Sequence, residues 1–226
     1  MTKKTSVKLL AKSKSLEPIF QLWGWILLTW SLYRYFVRFP EWADELVFKP
    51  LIFVLPVVFY VVKKEKRRLS SLGLTTKNFF NALYIGIGFG MLFAIEGVVV
   101  NIFKNGQLVI TPLEVFSEYG MLALFGLSIF TAFSEELLNR GFLFKRIHEK
   151  TENLVYASLI ASVLFILLHI PILVTTTKIQ GGILLLFFAT NMMLSLINCF
   201  LFASTGTLLA PILVHIFWNM AVSIYL

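Results

Sequence analysis

The sequence predicts an all-α fold: a polytopic transmembrane bundle of about seven spans. Three observations carry this. The 226 residues are 58% hydrophobic with a mean hydropathy of +0.83. Only 14% are charged, against about 25% in a typical soluble domain. No Asp, Glu, Lys or Arg follows Lys178. As one helix that uncharged stretch would run about 72 Å, more than twice the hydrocarbon thickness, so it must fold back.

The elements follow in order. Residues 1–18 form a basic tail with Lys3, Lys4, Lys8, Lys12 and Lys14. Ile19 to Tyr33 is a first apolar run with three Trp and no A-x-A-like cleavage site, so it reads as an uncleaved span. Leu46 to Val62 is the second, with Lys49 placed to snorkel from its end and Pro56 placed to kink it. The basic cluster Lys63 to Arg68 follows. Later runs are Phe79–Phe103, Tyr119–Phe144, Leu154–Val174, Gly181–Ala203 and Thr207–Leu226. Ser204-Thr205-Gly206 predicts a tight turn between the last two. The chain divides into the tail, N-terminal spans over 19–118 and a core over 119–226.

The basic residues sit between apolar runs, as juxtamembrane charges do, so the formal net charge of +8 does not point to nucleic acid. Cys199 is the single cysteine, which excludes an internal disulfide and suits a packing role.

The fourth run carries the chemistry. Glu136 and Arg140 are four apart and share a helix face. Glu135 points about 100° away. Glu136 therefore reads as the structural partner of Arg140, and Glu135, without a local cation, as the reactive carboxylate. His169 lies in "FILLH", four residues after Phe165; His215 lies in "HIFWN", four before Asn219. A carboxylate and two imidazoles can bind a metal or activate a water, and an amide beside an imidazole can donate to an oxyanion. A buried structural charge cluster would use the same residues in the fourth run. His148, in a basic loop, reads as solvated or headgroup-facing. Glu96 reads as interfacial, and Asn191 and Asn198 as bonding between helices.

"EELLNR" (Glu135 to Arg140), "FILLH" and "HIFWN" match, in order, the EExxxR, FxxxH and HxxxN motifs. Over roughly 119–222 the chain thus resembles the CPBP intramembrane proteases, which include type II CAAX prenyl endopeptidases and bacteriocin-processing or self-immunity proteins. The resemblance implies an intramembrane endopeptidase acting on a membrane-associated peptide or protein: a CAAX-type substrate, a bacteriocin or a signalling peptide. It implies that Glu135 and His169 activate a water, that His215 and Asn219 stabilise the oxyanion, and that Glu136, Arg140 and Phe165 support the site, with Glu136 and Arg140 holding Glu135. Either no cofactor is required, or zinc is held by Glu135, His169 and His215; the H-E-x-x-H zinc signature is absent. Two other classes use similar residues: a binding-only immunity or scaffold protein, and a proton-coupled transporter.

Depth is a check on convergence. Glu135 lies about 15 Å from Lys145 and His215 about 13 Å from Gly206. His169 comes out about 24 Å from Asn153, so the fifth helix must tilt or start outside the membrane.

Seven spans with the N-terminus in the cytoplasm put fourteen Lys and Arg on the cytoplasmic side against five opposite, which the positive-inside rule favours. Access to the site is then cytoplasmic. Reporter fusions at residue 150 and at the C-terminus should report opposite sides; both on one side would contradict a seven-span count.

Overall fold

The computed structural model describes residues 15–37, 39–109, 114–177 and 179–225. Most of the basic tail, Arg38, Lys178 and the side chain of Lys104 lie outside the described residues.

Seven main helices and no strands occur among the described residues. They are α1 Glu17–Phe36, α2 Glu41–Lys64, α3 Phe79–Asn105, α4 Gly120–Thr151, α5 Leu154–Thr176, α6 Gly181–Thr205 and α7 Leu209–Tyr225. Lipid offers the backbone no partners, so a spanning chain satisfies its amides within helices. By length and composition α2 to α6 can each cross a membrane. Polarity is inverted relative to a soluble protein. Leu122, Phe103 and Leu185 are exposed, while Glu136 and Arg140 are 0% accessible. This is an integral membrane protein with its charges turned inward.

Two apolar clusters flank the interior. One joins α1, α2, the Leu137–Phe144 stretch of α4, and α5, with Cys199 inside it. The other joins α3, α6 and α7 through Phe93, Leu194 and Trp218. Helix α7 packs chiefly on α3 and α4. The turn between α6 and α7 is made by Gly206, whose φ of +71° lets its N–H reach back to Phe202 O at 2.9 Å.

Three irregularities place the site. Helix α2 runs through wide π turns at Asp44–Phe48, Pro50–Val54 and Tyr60–Lys64. Pro50 opens one of these wide turns, whereas Pro56, where a kink is expected, lies in the ordinary helical turn Leu55–Phe59 between two of them. Helix α4 widens likewise over Leu137–Phe144, just past the acidic pair, and every residue of that stretch is buried. It lies close to the 3₁₀ turn Leu69–Leu72: a Cβ on Gly141 would stand 2.7 Å from Leu72 O, so only glycine permits this approach. Helix α5 is interrupted at Leu168 and His169, two residues before Pro171. The proline ring excludes the carbonyl of Leu167 from the normal ladder, and local 3₁₀ bonds take over, His169 N to Ile166 O at 2.9 Å. Trp30 of α1 donates to the Leu168 carbonyl at 3.2 Å.

The end of α4 is clamped by charge. Buried Arg146 donates to both oxygens of Glu65 (2.7 to 2.9 Å) and to Ser71. Arg67 donates to Glu149 at 2.7 Å. His148 is not simply solvated: it is half-buried and stacks on Phe144.

Candidate active site

Glu136 is the hub. Its Oε1 accepts from Arg140 Nη1 at 3.0 Å, from Asn198 Nδ2 at 3.0 Å and from His215 Nδ1 at 2.7 Å. One oxygen thus joins α4, α6 and α7. Arg140 also lies over the Phe165 ring, 4.7 Å from its centroid, which brings in α5. Asn198 donates a second bond to Pro211 O at 3.3 Å. The expectation that Asn198 bonds between helices matches this geometry. Asn191 instead donates to Phe187 O of its own helix at 2.8 Å. Glu96, expected at the interface, is half-buried with one oxygen enclosed and unpaired.

The role expected of Glu136 needs correcting. None of its bonds goes to the Glu135 side chain; Glu136 and Arg140 hold His215. The i,i+4 spacing shows which residues share a face but not which neighbour that face meets across the bundle.

Glu135 is 6% accessible. It does have a cation, though not a local one. Lys49 of α2 donates to its Oε1 at 2.8 Å. Lys49 is buried rather than snorkelled outward, and it also donates to Glu45 at 2.8 Å. Helical spacing is blind to a partner 86 residues away. The Glu45 to Lys49 spacing was the available signal, two opposite charges one turn apart in an apolar run.

The other oxygen of Glu135 is enclosed and accepts no hydrogen bond. It faces both imidazoles: His169 Nε2 at 3.8 Å and His215 Nε2 at 3.7 Å. Each ring is fixed from behind. His169 Nδ1 donates to Phe165 O at 3.0 Å, and His215 Nδ1 donates to Glu136. With Nδ1 carrying the proton, a neutral ring presents a lone pair at Nε2. Three acceptor atoms from three helices therefore converge, an arrangement that calls for a donor between them. The break in α5 falls at His169 itself, whose backbone leaves the regular helix there. Phe165 supports both rings edge-on, at 4.7 Å from His169 and 6.1 Å from His215. Phe187 of α6 closes on His169 at 5.8 Å; it carried no motif in the sequence. Asn219 lies one turn beyond His215 on α7, half-buried, with no hydrogen-bond partner among the described residues.

Glu135, His169 and His215 are the right donor types for zinc. Their arrangement does not fit it. The Lys49 ammonium already lies against the carboxylate, where a second cation would be repelled. Among the described residues, no group of three or more His, Cys, Asp or Glu is disposed to hold a metal ion.

Residues 117–221 match the family model for type II CAAX prenyl endopeptidase Rce1-like proteins. This supports membership of the CPBP family and its intramembrane protease fold. No curated protein and no solved structure matches the chain.

The Glu136 hub yields a stability prediction. Glu136→Gln leaves Arg140 buried without a counter-charge and should cost about 3 kcal/mol. Thermal unfolding of purified protein in detergent should show a clear drop in Tm; an unchanged Tm would contradict the hub.

Proposed function

Taking residues 117–221 as an intramembrane core of the Rce1-like family, we propose that the chain is an endopeptidase that hydrolyses a peptide bond of a membrane-associated substrate with a metal-free, activated water. One observation carries the reading: the unpartnered Oε2 of Glu135 faces two imidazole nitrogens, with all three groups fixed from behind. Oε2 of Glu135 and the two Nε2 atoms leave their hydrogen-bonding capacity turned toward one another, where a water would bridge them.

The chemistry follows from the acceptors. A water donates its hydrogens to Glu135 Oε2 and His169 Nε2 and attacks the scissile carbonyl carbon. Glu135 takes the proton as the C–O bond forms. The carbonyl oxygen becomes an oxyanion within reach of the His215 and Asn219 side of the site. Asn219 offers Nδ2–H to it, and a His215 that meets the substrate already protonated, with Nδ1 on Glu136, offers Nε2–H and keeps that proton through the cycle. Collapse breaks the C–N bond, and the proton held by Glu135 passes to the leaving amine. With the N-terminus in the cytoplasm, the substrate enters from that side. A C-a-a-X peptide carrying a prenyl chain on its cysteine is itself held at the membrane, where such a substrate would meet this bundle. A bacteriocin leader or signalling peptide shares the membrane association, and the same machinery would serve it.

The test uses purified protein in proteoliposomes with two quenched probes, a farnesylated C-a-a-X peptide and a double-glycine-leader peptide. Wild type should cleave one of them. Glu135→Gln should lower kcat/KM about 100-fold or more with helix content intact. A strong chelator should leave wild-type activity unchanged. Chelator inactivation reversed by zinc would overturn the metal-free mechanism. Full cleavage by Glu135→Gln would overturn the peptidase and leave a binding protein.

A further inference from the structure

Lys49 lies outside the family-matched region and belongs to no catalytic motif. It nevertheless reaches the site. It stands between the π turns Asp44–Phe48 and Pro50–Val54, is 8% accessible, and joins two carboxylates: Glu45 Oε1 and Glu135 Oε1, each at 2.8 Å. Glu45 is held in turn through its second oxygen by the Thr131 hydroxyl of α4. The chain Thr131–Glu45–Lys49–Glu135 thus starts and ends on α4, passing through α2.

We infer that Lys49 is a positioning residue for Glu135, steadied by Glu45, and that α2 thereby sets the geometry of the proposed reaction. The inference rests on the peptidase reading. The terminal torsion of a glutamate is broad and roughly two-fold, so an unrestrained carboxylate samples many orientations. Fixing Oε1 to an ammonium removes that freedom and leaves Oε2 as the oxygen facing both Nε2 atoms. Both termini of this constraint are buried, where bulk water cannot compete for the ammonium. Glu45 matters because a lone lysine chain is flexible; a second carboxylate on the same helix fixes the ammonium between two points. A small misplacement of the attacking base costs orders of magnitude in rate while leaving substrate binding intact.

The experiment is a steady-state analysis of full-length protein in proteoliposomes, using the same two probes. Lys49→Met keeps the apolar stem and removes the ammonium. Its kcat should fall about 10- to 100-fold, with KM held within about twofold. It also leaves Glu45 and Glu135 as unneutralised like charges, which can unfold the variant. Lys49→Met/Glu45→Gln removes one of those charges and should show the same fall in kcat with a near wild-type Tm. A folded variant with wild-type kcat overturns the positioning role. So does a rise in KM with kcat unchanged, which would make Lys49 a substrate contact. Failure of both variants to fold would make Lys49 a structural ion and overturn it too. Wild type no faster than Glu135→Gln on either probe would instead overturn the peptidase reading, and this inference with it.

Discussion

A single carboxylate oxygen, Oε1 of Glu136, holds the interior of this protein together. It accepts three hydrogen bonds from three helices, and it is fully buried. In a low-dielectric interior a charge must be paired and its lone pairs filled. Arg140 supplies the charge, and Asn198 and His215 donate to the same oxygen. That demand brings α6 and α7 against α4 at one height. Once His215 Nδ1 is committed to Glu136, its Nε2 has one direction left, toward Glu135. The site is thus a by-product of how a buried charge is satisfied.

The second constraint comes from proline. A regular α5 would hold His169 on a face fixed by the helical period. Pro171 prevents that regularity, and the chain turns at Leu168 and His169. The freed groups do not go unused. Phe165 O takes the His169 Nδ1 proton, and Leu168 O takes the Trp30 indole. Helix α1, which bears no motif, therefore stabilises the very break that presents the histidine. The N-terminal helices contribute again through Lys49 of α2. The three motifs occupy three helices, but their orientation depends on six.

The sequence made the local part of this legible and hid the long-range part. The seven apolar runs correspond to seven helices, because a span's length and hydrophobicity are set by the bilayer. Glu136 with Arg140 was readable from four-residue spacing. The tight turn at Gly206 was readable because a left-handed residue there is nearly always glycine. The partners of Glu136 in α6 and α7 were not, since they are 62 and 79 residues away and no periodicity encodes them. Lys49 misled for a related reason. Near the end of an apolar run, a lysine is expected to reach for water, and only the fold shows that two carboxylates lie inward of it.

The most direct test of convergence needs no substrate. Protein labelled with ¹³C at the glutamate carboxyl carbons and ¹⁵N in the histidine rings can be examined in bilayers by solid-state NMR. Dipolar couplings should show the Nε2 atoms of both His169 and His215 close to one carboxyl carbon, and both couplings should vanish in Glu135→Gln. The coupling from His215 Nδ1 to Glu136 should persist. No coupling between the His169 ring and any glutamate carboxyl would mean that this histidine faces elsewhere, and a shared site built on Glu135 could not stand.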